Sequence, residues 1–148
     1  MMQVRKMLIS DYENVYSLWL NTPGMGLNDI DDSKEGIGRY LQRNPTSCFV
    51  AEKDGEIAGV ILSGHDGRRG LIYHMAVKVS ERRQGIGDAL LNHAIEALKN
   101  EGIAKVYVII YKDNIVGNNF WAKQGFILSD VTQYLSKEIA MIKHIKTS

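Results

Sequence analysis

The 148 residues contain a single cysteine, Cys48, so no disulfide can close within the chain. That excludes a disulfide-stapled scaffold and agrees with a reducing compartment. Cys48 lies in the apolar run Ser47-Cys48-Phe49-Val50-Ala51 with no basic neighbour to lower its pKa, which suits a buried side chain better than a reactive thiol. Prolines number only two, and no Pro/Ser-rich tract, repeat or low-complexity stretch breaks the sequence. One domain over residues 1–148 is therefore expected. No apolar run is long enough to cross a bilayer. The opening Met1-Met2-Gln3-Val4-Arg5-Lys6 has no apolar core of a secretory signal. A cytoplasmic location without a membrane partner is the expectation. Charge of one sign is missing too. The 18 basic and 17 acidic residues leave a net charge of +1, which gives nucleic acid no overall attraction. Any anion site must be local. The four histidines, His65, His74, His93 and His144, have no metal-ligand spacing, and no metal site is expected.

Hydrophobic residues at 45% and charged residues at 24% fit an ordinary globular domain with a real core. Gln3–Ile9 can form a strand. Ser10-Asp11-Tyr12-Glu13 has the spacing of a capping box, and Val15, Leu18 and Trp19 share one face of the helix that follows. Asn21-Thr22-Pro23-Gly24 ends that helix, and a second is expected near Ser33–Leu41. Cys48–Glu52, Glu56–Ser63 and Leu71–Val79 read as three antiparallel strands, joined through Asp54-Gly55 and Asp66-Gly67. From Gln84 to Asn100 the period becomes helical, with Gly102 just past the end. Lys105–Tyr111 reads as a buried strand, parallel to 71–79 through a right-handed crossover. A short helix is expected over Asn114–Lys123, then strands near Phe126–Leu128 and Ile139–Ile145. The fold class is α/β, a mixed central sheet with helices packed on it.

The segment richest in chemistry runs Val77-Lys78-Val79-Ser80-Glu81-Arg82-Arg83-Gln84-Gly85-Ile86-Gly87-Asp88-Ala89-Leu90. It joins a strand to the start of the longest helix, where unpaired amides and the helix dipole favour phosphate. Gly85 and Gly87 let a pyrophosphate approach the backbone, and Arg82 and Arg83 bring charge with fork geometry. Gly85-x-Gly87 alone is weak. A dinucleotide fingerprint needs a third glycine where Leu90 stands, and a Walker loop needs Gly-Lys-Ser/Thr, which is absent.

Arg82-Arg83-Gln84-Gly85-Ile86-Gly87 resembles the acyl-CoA signature Gln/Arg-x-x-Gly-x-Gly/Ala of the GNAT N-acetyltransferase superfamily. Asn114 followed by Phe120-Trp121-Ala122-Lys123-Gln124-Gly125-Phe126 is similar to a second element of that family, Asn…Phe/Leu-Tyr-x-x-x-Gly-Phe. The order of elements also matches over nearly the whole chain. The resemblance implies the GNAT acyl-CoA N-acyltransferase fold: an antiparallel N-terminal meander, a parallel splayed strand pair and helices on both faces. It implies acetyl-CoA as acetyl donor and an amine acceptor, attacked directly in a ternary complex. Backbone amides of Arg82, Arg83, Gln84, Gly85, Ile86, Gly87, Asp88 and Ala89 would cradle the pyrophosphate. Met75, Ala76 and Val77 would offer main-chain groups to pantetheine and the acetyl carbonyl. Asn114 would hold the cofactor arm, and terminal strands of the family often pair across a homodimer.

Two departures stand out. Trp121 occupies the place of a tyrosine that many members use as a proton donor. An indole N–H is no practical acid at neutral pH, so Trp121 is expected to pack beside the cofactor. The strand 71–79 carries Tyr73 and His74 where many members have an acidic base. His74 has the unperturbed pKa of a base, the alternative being a sheet-face histidine without catalytic duty. Neighbours on a regular strand face opposite ways, so only one of the two is expected in the cleft. Tyr111 and Tyr134 are candidates for a proton donor without a place. Arg68-Arg69 read first as a hairpin turn and second as a border of the acceptor site. Asp29, Asp31 and Asp32 suit either a cationic amine or ordinary charge before a helix. The departures leave a second reading, a CoA-binding sensor or pseudoenzyme.

Overall fold

The computed structural model describes residues 1–148. Five strands form the main sheet: β1 (Met2–Lys6), β3 (Phe49–Lys53), β4 (Glu56–His65), β5 (Gly70–Val77) and β6 (Val106–Val108), in that spatial order. The first four pair antiparallel, and β6 runs parallel to β5. The β3–β4 turn uses Asp54 at φ 52° and Gly55 at φ 79°, the pair of positive angles that Asp-Gly supplies. Before β5, the Asp66 carboxylate accepts the amides of Arg68 and Arg69 at 2.8 and 2.9 Å. Those contacts account for the Asp66–Arg69 turn locally.

Helices cover both faces. On one, α1 (Tyr12–Leu20) and α2 (Lys34–Arg43) pack Val15, Trp19 and Ile37 against Val50, Val60 and Ala76. On the other, α3 (Ile86–Asn100) presents Ile86, Leu90, Leu91 and Ala94 to Ala51, Ile61 and Ile72. Their spacing is the helical stripe expected from the sequence. The amide of Ile103 closes the end of α3 on the Leu98 carbonyl at 3.1 Å, with Gly102 at φ 81°. A fourth helix, α4 (Ile115–Lys123), buries Trp121 in the same layer. No helix is long and apolar enough to cross a membrane.

Cys48 is buried and directs its thiol to the Ser63 carbonyl at 3.1 Å. Burial pushes the thiol up to about 12, against a weaker opposing effect of that carbonyl contact. A disulfide reagent at about pH 8 should therefore leave native Cys48 untouched and titrate it on unfolding, because the thiolate is the nucleophile. Absorbance of the released thiolate reads this directly.

Four local expectations change, one of them at β6, which is shorter than the expected Lys105–Tyr111 and only half-buried. The Ser10 capping box does not form; a short turn over Ile9–Asp11 precedes α1, and Asp11 takes the capping role. Its carboxylate accepts the Leu8 amide at 2.8 Å and two Arg5 donors at 2.9 Å each. Ser10 cannot match a bidentate guanidinium. Next, α3 begins at Ile86 rather than Gln84, because Arg83 (φ 63°) and Gly85 (φ 80°) are left-handed. Finally, strand pairing at the C-terminus is sparse. The stretch 126–128 forms no strand, and of 139–145 only β7 (His144–Ile145) pairs, with the short β2 (Leu27–Asn28). No strand of this chain lies beside residues 127–142 to complete their hydrogen bonds.

Asp11→Asn should lower stability by about 2–3 kcal/mol, the worth of charge-assisted hydrogen bonds lost from a buried carboxylate. Burial works to raise the Asp11 carboxyl, but hydrogen bonds from Arg5 and the Leu8 amide outweigh it and hold the group below the usual range. A depressed carboxyl stabilises above its unfolded pKa and loses that contribution as pH falls through the lower folded value. The variant should accordingly show a flatter loss of melting temperature in acid than the parent.

Candidate active site

Strands β5 and β6 pair only at Gly70–Val106, Leu71–Tyr107 and Ile72–Val108. Beyond Ile72 they part, and residues 109–111 leave the sheet, so Tyr73–Val77 has an unpaired edge. A cleft of about 1540 Å³ opens there, bounded by the start of α3, by α4 and by the α1–α2 loop. Met75, Ala76 and Val77 line it, as do Arg82, Arg83, Gly85, Ile86, Gly87 and Asp88.

The start of α3 has the form of an anion cradle. Gly85 is its N-cap, with no side-chain hydrogen bond to the first turn. The amides of residues 83–88 meet no acceptor within the chain. The expected cradle is shorter than Arg82–Ala89, however. The Arg82 amide donates to Val79 at 3.3 Å and that of Ala89 to Gly85 at 3.0 Å, so both ends serve the local backbone. A Cβ on Gly87 would sit 3.3 Å from the Phe120 ring, a tight contact. Arg82 is steered by a 3.1 Å bond from its Nε to the Val77 carbonyl. Gln84 is absent from the cleft wall and accepts from Lys53 Nζ at 3.0 Å, beside the Lys53–Glu81 pair at 2.7 Å. The Asp88 carboxylate is drawn toward α4 by Gln124 Nε2 at 2.6 Å.

On α4, Asn114 lines the cleft while its Oδ1 caps the helix, accepting the Gly117 amide at 3.0 Å. Trp121 is 8% exposed and packs edge-on to Phe120 and Phe126, each at 5.0 Å. It forms an apolar wall. Tyr111 and Tyr134 both line the cleft, and the Tyr111 ring lies over Gly24 and Gly26. Arg68 and Arg69 do not border it.

The alternation expected at Tyr73 and His74 fails. The β4–β5 register runs Leu62–His74 and then Ser63–Ile72, leaving Tyr73 as the extra residue of a β-bulge. Ile72 packs toward α3. Tyr73 meets the α2 residue Tyr40 at 5.7 Å, and His74 meets Trp19 of α1 at 4.9 Å, so the two neighbours share one face. Both line the cleft. Burial, with the nearby Asp31 and Tyr134, raises the Tyr73 hydroxyl above its ordinary value and keeps it protonated.

His74 has a partner that its neighbourhood in sequence does not announce. Its Nε2 lies 2.8 Å from Asp32 Oδ1, and the two side chains are 8% and 4% exposed. The three acidic residues of the α1–α2 loop thus separate by role. Asp29 accepts the Lys143 amide, Asp31 accepts from Asn28 Nδ2, and Asp32 turns inward. Nothing local distinguishes Asp32, since an acid before a Ser33 cap reads as ordinary helix-start charge.

Comparison with known proteins agrees with this geometry. The sequence matches the acetyltransferase (GNAT) family over residues 9–126. It is 30% identical over 138 residues to Acetyltransferase SG1711 of Sodalis glossinidius, covering 93% of this chain and 96% of that protein. The fold is similar to PaiA N-acetyltransferase from Thermoplasma acidophilum in complex with coenzyme A, with a TM-score of 0.75, 19% identity and 99% of both chains covered. It is also similar to Ard1 from Thermoplasma volcanium, with a TM-score of 0.72, 21% identity and coverage of 86% and 84%. A family match across most of the sequence, on the fold and cleft just described, places this chain in the acetyltransferase (GNAT) family, the acetyl-CoA-dependent N-acetyltransferases.

Proposed function

We propose that the protein transfers the acetyl group of acetyl-CoA to a primary amine on a cationic acceptor, by direct attack with both substrates held in the cleft. The carrying observation is the run of unpaired amides at residues 83–88, beside the free edge of β5. Acetyl-CoA, when bound, supplies a thioester carbonyl open to attack by a neutral amine. The amides of residues 83–88 and the arginines Arg82 and Arg83 would hold its pyrophosphate. Main-chain groups of Met75 and Val77, which alternate away from β4 while those of Ala76 pair with Val60, would bind pantetheine and face the carbonyl oxygen. Trp121 would wall the thioester end, and Asn114 would position the arm through the start of α4. Holding both substrates turns a bimolecular encounter into an oriented one.

The acceptor would enter from the α1–α2 side, where Asp31, Tyr73 and Tyr134 line the mouth. A carboxylate there favours an ammonium group. Tyr73, kept protonated, is a hydrogen-bond donor or acceptor for orienting it. His74, with Nε2 held by Asp32 and Nδ1 buried, would shape this wall of the cleft rather than take the amine's proton. The acceptor panel follows from solved neighbours, which include an aminoglycoside acetyltransferase and a ribosomal-protein-S18-alanine N-acetyltransferase. Turnover of acetyl-CoA should depend on an added aminoglycoside or a peptide with a free N-terminal alanine. Tight CoA binding without amine-dependent turnover across the panel would favour a sensor instead.

A homodimer is proposed on separate grounds. Residues 127–142 make no backbone–backbone hydrogen bond. Along them Ile127, Leu128, Val131, Leu135, Ile139 and Met141 are 87–94% exposed. The outer edge of β6 is likewise unpaired. Six such side chains at roughly 100 Å² each, counted on two copies, come to about 1,200 Å², the lower bound of a stable interface. A second copy of this chain, adding strand to strand, would cover both the apolar groups and the open backbone. Light scattering should give twice the chain mass, and Leu128→Glu with Ile139→Glu should give a monomer. A monomeric parent would contradict this.

A further inference from the structure

We infer that the acceptor carries a carboxylate beside its amine, and that Arg39 and Arg43 of α2 are the specificity-determining residues that recognise it. The inference rests on the amine-acetylating role of the cleft given above. The α1–α2 loop and α2 bring three charged side chains to the cleft wall besides the buried Asp32, namely Asp31, Arg39 and Arg43. Asp31 is the carboxylate that favours an ammonium group. The two guanidinium groups stand away from the start of α3 and have no part in holding the pyrophosphate.

Helix geometry sets both arginines on one face. Gly36, Tyr40 and Arg43 follow at steps of four and three along one stripe of α2, and Arg39 flanks it one turn before Arg43. The stripe is tied to the cleft at two points. At the start of α2, a Cβ on Gly36 would lie 2.5 Å from the Asp31 carbonyl oxygen. Further along, the Tyr40 ring meets Tyr73 of β5 edge-on at 5.7 Å. Tyr73 in turn is close enough to Asp31 and Tyr134 for both to act on its hydroxyl. Neither arginine is engaged within the chain. Arg39 reaches only Glu35, at 3.8 Å, with side chains 61% and 89% exposed, a contact that contributes little. Arg43 lines the cleft with no carboxylate of the chain beside it. The carbonyl end of α2 favours a cation in its last turn, which accounts for Arg43 but not for Arg39 a turn earlier.

Two free guanidinium forks one turn apart suit a carboxylate, whose two oxygens match the fork. Their spacing sets the acceptor's size. At 1.5 Å of rise per residue, Arg39 and Arg43 lie about 5 and 10 Å along α2 from Gly36, where Asp31 makes contact. Two or three residues of extended chain span about that distance. A short peptide segment with a free N-terminus and an acidic residue, or an ω-amino acid of similar length, would meet both charges at once. A polycationic acceptor would set its further ammonium groups against the arginines, so the peptide arm of the panel is favoured over the aminoglycoside.

Calorimetry on the CoA-saturated protein reads recognition without turnover, because CoA has no acetyl group to give. The probes are Ala-Ala-Asp amide against Ala-Ala-Asn amide, and ε-aminocaproate against hexylamine. In at least one pair the acid should bind about tenfold more tightly than its neutral match, and the preference should shrink in high salt. A preference in the peptide pair points to a chain N-terminus, and one in the other pair to a small molecule. Arg39→Gln with Arg43→Gln should bind both members of a pair alike, at parental affinity for CoA, since glutamine keeps the helix. Equal binding of acid and neutral probes by the parent overturns the inference, as does a preference that survives in the double variant. No binding of any probe at millimolar concentration overturns it as well. Turnover of acetyl-CoA with the same probes separates this inference from the reading beneath it. Amine-dependent turnover without an acid preference removes only the carboxylate site. An acid preference in binding without turnover keeps that site and removes acetyl transfer to such acceptors.

Discussion

Gly85→Glu should bind acetyl-CoA and CoA at least about a hundredfold more weakly, a loss of about 2.7 kcal/mol, while keeping the fold. Two effects act at this position. Gly85 stands at φ 80°, with nothing within 4 Å of an added Cβ, so the side chain would meet no packed neighbour. It would instead bring a carboxylate onto the unpaired amides of residues 83–88, where it would compete with phosphate and repel it. A non-glycine residue in a left-handed conformation also costs about 1–2 kcal/mol, which an ordinary domain tolerates. Gly85→Ala separates the two, since it carries the backbone cost without the charge. Calorimetric titration should rank the parent tightest, Gly85→Ala slightly weaker and Gly85→Glu without measurable binding. Equal binding by all three would move the phosphate site elsewhere.

His74→Ala should lower stability by about 3–5 kcal/mol, because it leaves the buried Asp32 carboxylate without the partner that lies 2.8 Å from it. His74→Gln should cost far less, since glutamine can still donate an N–H toward Asp32 and the carboxylate keeps a hydrogen bond. His74 is also set apart from the start of α3, packing toward Trp19 on the α1 side of the sheet. Neither variant should therefore change the affinity for acetyl-CoA. Urea denaturation beside calorimetry on the same proteins measures both.

The parts of this site that depend on local chemistry could be read from the sequence. Gly85 and Gly87 at a strand-to-helix junction announce an uncapped helix start, and the structure has unpaired amides there at residues 83–88. The stripe Ile86, Leu90, Leu91, Ala94 and Leu98 likewise announces α3. Features that depend on tertiary pairing were not legible. The bulge at Tyr73 arises from the β4–β5 register, and it turns two neighbours to one face against the rule of alternation. Asp32 meets His74 across 42 positions of chain, and its sequence context is that of any acid before a helix cap. At Asp11, the bidentate contact with Arg5 across the turn displaced the expected Ser10 cap. The C-terminal strands failed for the converse reason. Their apolar residues carry strand propensity, but a strand needs a neighbour, and within one chain only His144 and Ile145 find one.

The most direct test is the release of CoA thiol from acetyl-CoA with and without the amine panel, followed by mass spectrometry of the acceptor. Native Cys48 would not consume the thiol reagent, so the signal belongs to CoA. The account predicts release that depends on an added amine, with an acceptor heavier by one acetyl group. Thiol release at the same rate without any amine, and no acetylated product, would contradict it.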